Sequence, residues 1–389
     1  MTRLLEGRDL RAGAESLPEH LARLGPLPRV NTMFIETLIR SGLVGRGGAG
    51  FPVGVKWRSV ASHSHGQAVV IVNGAEGEPQ SKKDQVLMAS RPHLILDGAF
   101  TAARVIRARQ VILYIGEDKT ASRIAMTRAL AERPDAEQRI TRVAAAPARY
   151  VAGESSAVVH LLSDGVATPT TTPPSPHERG LEGAATLVQN VETLAHVALI
   201  ARGKPAGTVL VTAVGGVTRP GVMEADVRNT IGQIVESAGA TQDSARAILI
   251  GGYFGTWSDP GRVWDLTLDA EQLRAEGIAL GCGVIGVLGK DHCPVCETSG
   301  IMHYLAGESS AQCGPCFFGL RALSAACSRI AHQGSNSSDL AHLQRWASEV
   351  RGRGACRHPD GAVLFLQSAL RVFASEFANH SPHNARRTA

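Results

Sequence analysis

The chain has 389 residues, 44% of them hydrophobic and 19% charged, which is apolar enough to exclude a disordered protein and long enough for two or three domains with cores of their own. Its net charge is only +5, and the basic residues are scattered arginines apart from the tail Ala385-Arg-Arg-Thr-Ala389, which argues against nucleic acid as a partner. No segment reaches the eighteen or so uninterrupted apolar residues of a spanning helix, and the first residues do not read as a secretory leader, so a cytoplasmic protein with no direct membrane insertion is expected.

Residues 1–28 are polar and dotted with prolines, and read as a surface arm. The run from Asn31 to Gly42 puts Phe34, Ile35, Leu38 and Ile39 on one helical face and stops at a glycine. Strand-like runs follow at 68–72, 111–115 and 140–144, separated by helical stretches around 93–107, 119–132 and 154–162. That alternation predicts an α/β domain over 29–205. Residues 168–176 (Thr-Pro-Thr-Thr-Thr-Pro-Pro-Ser-Pro) must be a loop, and 190–201 reads as a helix. From 206 to 288 the texture becomes short alternating runs, at 208–214 and 247–252, with a turn at 219–221, which predicts a compact β-rich domain. Beyond it, over 289–389, the period is helical. Leu320, Leu323, Cys327 and Ile330 form one stripe, and Val363, Leu366, Leu370 and Phe373 another. Cys327 therefore reads as packing.

Seven cysteines are an odd number, and four of them lie in CxxC pairs, which without an export signal favours metal or redox chemistry over disulfides. Cys313-Gly-Pro-Cys316 can hold one centre from a single turn, and Cys356 closes it once the chain folds back. The pattern suggests an iron–sulfur cluster. A four-iron cluster wants four protein ligands, and one CxxC spacing upstream of Cys313 stands Ser310. The fourth ligand is thus open among Ser310 and the extra pair Cys293 and Cys296. Paired CxxC motifs are also a zinc signature, so a non-catalytic zinc-binding scaffold is a competing reading.

Gly45-Arg-Gly-Gly-Ala-Gly50 satisfies G-x-G-x-x-G, but a dinucleotide fold needs a strand before it and an acid about twenty residues on. Here a helix precedes it, Phe51-Pro52 follows, and no Asp or Glu occurs between Phe51 and Ala75. What remains is bare backbone at Gly45, Gly47, Gly48 and Gly50, whose N–H groups can approach a phosphate or a flat ring, with Arg46 and Lys56 as charge partners. Asn73-Gly-Ala-Glu-Gly-Glu-Pro79 follows a strand, where α/β sheets bind ligands. Asn73 can bond a flavin edge there, and Glu76 and Glu78 can take ribose hydroxyls or position a donor.

Five collinear stretches carry a resemblance: Ser41–Trp57 (Ser-Gly-Leu-Val-Gly-Arg-Gly-Gly-Ala-Gly-Phe-Pro-Val-Gly-Val-Lys-Trp), Asn73–Pro79, Tyr150-Val-Ala-Gly-Glu154, Gly183–Leu194 (Gly-Ala-Ala-Thr-Leu-Val-Gln-Asn-Val-Glu-Thr-Leu), and Cys313-x-x-Cys316 with Cys356. The chain resembles the NADH-binding flavoprotein of respiratory complex I and its counterparts in NAD-linked hydrogenases and formate dehydrogenases. The resemblance implies FMN in the N-terminal α/β domain, a β-grasp domain of the soluble-ligand-binding type at 206–288, and a C-terminal helical bundle holding a 4Fe-4S cluster. It implies FMN contacts from the glycine loop, Lys56, Asn73, Glu76, Tyr150, Gly153, Glu154, Asn190 and Thr193. Two-electron reduction of FMN would occur near the carboxylates of Glu76 and Glu154, followed by one-electron transfer through the cluster to a partner such as ferredoxin or a redox subunit. NAD(H) is a candidate donor, with Phe51 and Glu78 as contacts.

The chain also departs from that family. Ser155 replaces a second glutamate, and Thr172-Pro-Pro-Ser-Pro176 replaces Lys-Pro-Pro-Phe-Pro, including a phenylalanine that stacks on a base. Losing a stack and a charged hydrogen bond costs a few kcal/mol, roughly a hundredfold in affinity. NADH dehydrogenase activity with weakened NADH contacts is accordingly the alternative reading. Ala75 and Gln189 stand where the family has an aspartate and an asparagine, and Ser310 where it has its first cluster cysteine.

Overall fold

The structure, a computed structural model, describes residues 4–382, so the basic tail at 385–389 lies outside it. Two compact units result: Met1–Thr212 with Gly221–Val227 and Gly281–Gly283, and Ala213–Pro220 with Arg228–Leu280 and Val284–Ala389.

The first unit is built on four strands, β1 (Ala68–Gly74), β2 (Ala108–Gly116), β3 (Thr141–Ala146) and β4 (Thr186–Asn190). They form one sheet in the order β3-β2-β1-β4, with every neighbouring pair parallel. Val69, Val70, Ile71 and Val72 are all buried, as expected of a parallel strand covered on both faces, which reads as a continuous apolar run. On one face the helices Pro92–Val105 and Val191–Ala201 cross closely. A Cβ at Gly98 would come within 1.9 Å of the Leu194 carbonyl oxygen, so only glycine permits that crossing.

The chain order 3-2-1-4 matters for function. From β1 the chain moves outward to β2 and β3, then returns to the other side of β1 to place β4. The β1/β4 seam is a topological switch point, and in open α/β sheets ligands bind beyond the carboxyl ends of strands at such a seam. Asn73 of β1 and Asn190 of β4 are register partners there.

The N-terminal segment lies largely on the surface, as expected of an arm, but is anchored in the fold at a few points. Leu4 is buried, its N–H bonds the Glu224 carboxylate, and the guanidinium of Arg91 donates to the carbonyls of Leu5, Glu6 and Arg8. His20, in the helix Leu17–Leu24, lies fully buried between Glu15 (3.0 Å) and Asp97 (2.8 Å). Arg202 pairs with the same Asp97 oxygen as His20, and Arg133 with the other. Burial alone would raise the Asp97 carboxyl, but His20, Arg133 and Arg202 hold it down at about 2. Glu15 and His20 are thus paired inside the fold, as buried charges must be, while Glu6, Arg8, Asp9 and Arg11 stay exposed.

After Val191–Ala201 come β5 (Thr208–Gly215) and β6 (Gly221–Asp226). The second unit holds β7 (Ala245–Ile250), antiparallel to both β8 (Thr256–Ser258) and β9 (Val284–Gly289). Its helices are Pro294–Gly307, Arg321–Gln333, Ser337–Val350, His358–Val372 and Ala374–Asn379, after a short one at Ile231–Ser237. Within this unit, strands and C-terminal helices pack on one another. Trp257 of β8 packs on Phe365 and Phe373 and donates its backbone N–H to the Ser368 hydroxyl at 2.9 Å. Leu320, Leu323, Cys327 and Ile330 are buried, and burial pushes the Cys327 thiol up to about 12. Among the described residues no helix is long and apolar enough to cross a membrane.

Candidate functional site

The glycine loop is held over the β1/β4 seam by specific bonds. Gly45 donates to the Phe51 carbonyl at 2.9 Å and Val53 to that of Leu43, closing the loop through a bridge between Val44 and Pro52. The backbone N–H of Arg46 donates to the Thr193 hydroxyl at 2.9 Å. A side chain at Gly47 would press on Asn190 Cβ at 3.2 Å. Asn190 caps the helix Val191–Ala201 by accepting from the N–H groups of Glu192 and Thr193, so a helix N-terminus and a stretch of bare backbone meet at the carboxyl ends of β1 and β4. That combination suits an anion. The helix Val53–His63, unread in the sequence, follows the loop directly, and from it Lys56 donates to the Val188 carbonyl at 2.6 Å. Burial pulls its ammonium down to about 8, with Glu154 opposing.

Several atoms around this seam lack partners. Arg46 Nε and Gln189 Oε1 are buried with no hydrogen bond among the described residues. Buried polar atoms in native folds are almost always paired, so orphans beside a cradle are groups that a ligand can satisfy. Together with the glycine cradle they fit a flavin nucleotide, whose phosphate and ring edge supply acceptors and donors.

The remaining predicted contacts gather at the same edge. Asn73 donates to the Gly153 carbonyl at 2.8 Å, and the Tyr150 hydroxyl donates to Glu78 at 3.1 Å. Glu78 is thereby tied up, while Phe51 leaves 48% of its surface exposed. The two expected catalytic carboxylates have other work. Glu76 accepts from the Ser81 hydroxyl and from the N–H groups of Asp84 and Gln85, capping the helix Lys83–Ser90, so both of its oxygens are engaged. Glu154 accepts from Ser156 and Ala157 N–H and the Ser156 hydroxyl, all on one oxygen, and caps the helix Ser155–Asp164. Both acids thus serve as caps of helix N-termini.

Sequence reasoning missed the charged floor of the seam. Lys83 is buried between Asp84 (2.7 Å) and Glu192 (2.8 Å), and Asn190 donates to Asp84 at 2.7 Å. Burial pushes the Asp84 carboxyl up, opposed by Lys83 and reinforced by Glu76 and Glu192. The available signal was Glu192 itself, a lone acid in the apolar run Val-Glu-Thr-Leu-Ala-His-Val-Ala-Leu-Ile.

In the second unit, Cys313 precedes and Cys316 lies within a π-helical turn, Pro315–Leu320, a deviation that recurs at functional sites. Burial pushes the Cys316 thiol up to about 11, with the Cys313 and Cys356 thiols adding to the effect and a hydrogen bond from Ser309 opposing it. The Cys313 and Cys356 thiols are thus near enough to act on Cys316, and none of the three is in a disulfide, a donor set that suits iron–sulfur chemistry. The hydroxyl against Cys316 belongs to Ser309, one residue before the expected Ser310. Ser309 also accepts from Ala311 N–H at 3.0 Å. Ala311 has a φ of +53°, costly for a residue with a Cβ. Ala311→Gly is expected to stabilise the protein by about 0.5–1 kcal/mol in chemical unfolding, the strain relieved less the entropy glycine adds to the unfolded chain.

Cys293 and Cys296 sit elsewhere. They lie at the N-terminal end of the fourteen-residue helix Pro294–Gly307, and Ser309 follows its C-terminal end. At 1.5 Å per residue the two ends are roughly 20 Å apart. Neither cysteine reaches the Cys313 group, so neither the expected fourth-ligand role nor a zinc site built from both CxxC pairs is formed.

Both regions match known protein families. Residues 38–199 match the Nuo51 FMN-binding domain and residues 297–380 the NADH-ubiquinone oxidoreductase-F iron-sulfur binding region. The NADH-quinone oxidoreductase-F 2 protein of Rhizobium meliloti is 30% identical over 372 residues, covering 89% of this chain and 88% of its own. The chain belongs to the NADH-quinone oxidoreductase-F family. The Rickettsia akari member is 29% identical, over 90% of this chain and 89% of its own. An NAD+-reducing NiFe-hydrogenase, solved in its H2-reduced state, aligns with a TM-score of 0.80 at 29% identity over 90% of this chain, which spans 63% of the hydrogenase chain. This family member is a flavin and iron–sulfur electron-transfer oxidoreductase of the NADH dehydrogenase type, with FMN and a 4Fe-4S cluster as its cofactors.

Proposed function

We propose that FMN is held at the β1/β4 seam, that the cluster is held by Cys313, Cys316 and Cys356 with a serine as fourth ligand, and that electrons leave through the cluster to a protein partner. The observation that carries the flavin reading is the pair of orphaned buried atoms, Arg46 Nε and Gln189 Oε1, beside the glycine cradle. When bound, FMN supplies the exchange between a two-electron donor and a one-electron acceptor. The protein's residues position it. The glycine loop and the N-terminus of Val191–Ala201 receive the phosphate, Lys56 provides a cation, and Asn73, Tyr150, Gly153 and Glu154 line the edge. Glu76 acts by fixing the helix Lys83–Ser90. Residues 206–288 are proposed to form the β-grasp domain. Phe317 and Phe318, exposed directly after Cys316, offer apolar surface to a redox partner such as a ferredoxin or a companion protein of a larger complex, and a cytoplasmic location, peripheral to any membrane complex, is proposed.

NADH is proposed as a weakened donor. Glu78 is occupied by Tyr150, Phe51 alone offers a free ring, and Ser155, Thr172 and Ser175 lack the charge and the aromatic surface that a dinucleotide would meet. The test is an anaerobic titration followed by flavin absorbance. Flavin bands should appear, bleaching should need millimolar NADH, and Ser175→Phe should lower that requirement about tenfold by restoring one stack. A flavin fully bleached by micromolar NADH in the wild type overturns the weakened-donor reading, and a preparation without flavin overturns the whole assignment.

A further inference from the structure

The second CxxC pair has no place in the chemistry described above, yet the fold gives it a third partner. Cys293 is the N-cap of the helix Pro294–Gly307, and its Sγ accepts from the Cys296 N–H at 3.4 Å. Three residues apart on a first helical turn, the two thiols project to one side. The chain then runs through four more helices and returns, and His380, directly after Ala374–Asn379, brings Nδ1 to 3.8 Å from Cys293 Sγ. The two sulfurs and a ring nitrogen all lie within 4.8 Å of one another.

The imidazole is held from behind. Its Nε2 lies 3.1 Å from the Ala331 carbonyl oxygen, which can only accept, so Nε2 carries the proton and Nδ1 presents its lone pair to the thiols. Its backbone is pinned as well: His380 N–H donates to the Ser335 hydroxyl at 2.8 Å, Ser335 N–H donates to the His380 carbonyl at 2.9 Å, and the Ser335 hydroxyl donates to the Phe377 carbonyl. Ring orientation by a backbone carbonyl on the distal nitrogen is the arrangement that metal-ligating histidines adopt. The spacing agrees. Tetrahedral zinc with bonds of about 2.3 Å to sulfur and 2.0–2.1 Å to nitrogen separates those two ligand atoms by about 3.6 Å.

We propose that Cys293, Cys296 and His380 bind one zinc ion, separate from the iron–sulfur centre, with water in the fourth position on the side of the exposed Cys296. Two thiolates and one imidazole are a donor set that zinc favours. The site clasps the start of Pro294–Gly307 to the end of the C-terminal helices, a link within the second unit that no covalent bond supplies. A bare redox pair would need no histidine oriented in this way.

The experiment uses the full chain, purified anaerobically with its cofactors, and measures zinc and iron per chain together with zinc X-ray absorption. The expected result is one zinc per chain with two sulfur neighbours. Cys296→Ser and His380→Ala should each lower Zn2+ affinity by at least about a hundredfold, the upper range for losing a mere orienting partner, while iron and flavin content stay at wild-type levels. Because Cys296 is exposed, its variant tests ligation without disturbing the core. Three results overturn the proposal: a wild-type chain that neither contains zinc nor takes it up from solution, including one whose thiols are found as a disulfide; zinc retained in both variants; or iron lost from Cys296→Ser. The iron and flavin contents report separately on the cofactor assignment above.

Discussion

Lys56→Met is expected to make the flavin-free protein more stable and to abolish its retention of FMN. The ammonium of Lys56 is enclosed and pulled down from 10.5 to about 8 by burial, with Glu154 giving only partial relief. A shift of that size corresponds to at most about 3 kcal/mol of destabilisation at neutral pH, where the folded protein must keep a charge in a poor site. Methionine fills a similar volume without the charge. The sign with pH follows from the direction of the shift. Between about pH 8 and 10.5 the unfolded chain still binds the proton and the folded chain does not, so wild-type stability rises through that window. The stability gap between variant and wild type should therefore be largest below pH 8 and close as pH approaches 10.5, read by chemical unfolding of the flavin-free proteins. A residue kept at such a cost has a ligand to meet: a bound anion would offset the cost and raise the ammonium again. If Lys56→Met retains FMN at wild-type stoichiometry, the lysine is no part of the flavin site. If it unfolds more readily than wild type at pH 7, the account of its burial is wrong.

The readability of the fold followed the kind of interaction involved. β1 and β2 announce themselves because Val69–Val72 and Val111–Ile115 are unbroken apolar runs, which only a doubly covered strand requires. β4, Thr-Leu-Val-Gln-Asn, is too short and too mixed to stand out, yet its place beside β1 creates the ligand seam. The helix Val53–His63 was hidden by Pro52 and Gly54, which look like breakers, although proline at a helix start is favourable. Long-range polar pairing was invisible altogether. Nothing near Glu15 and His20 points to Asp97, so the buried network that anchors the arm went unread. The same limit applied at the sites. An acid after a strand suggested catalysis at Glu76, whereas its role as a cap appears only once the helix Lys83–Ser90 is seen to begin beneath it. The Cys293–Cys296 pair was plain in the sequence, and its histidine was not.

The cluster makes the second large prediction, because the structure offers two hydroxyls where one thiolate is missing. Ser309 bonds Cys316, while Ser310 occupies the sequence position one CxxC spacing before Cys313. An oxygen ligand is harder and more basic than a thiolate, so it favours the oxidised, more positive cluster and lowers the reduction potential. Ser310→Cys, supplying a fourth sulfur, is expected to keep iron at four per chain and to raise the midpoint potential by on the order of 100 mV, a little over 2 kcal/mol for one electron. Ser310→Ala should lose iron if that oxygen is the ligand, and Ser309→Ala should then keep its iron while shifting the potential through the lost hydrogen bond to Cys316. The reverse pattern would move the ligand to Ser309, the residue the geometry already places against a thiol. Retention of iron at wild-type level and unchanged potential in both alanine variants would leave a cluster held by Cys313, Cys316 and Cys356 alone, with its fourth iron on a non-protein ligand such as water, and would overturn the serine ligand.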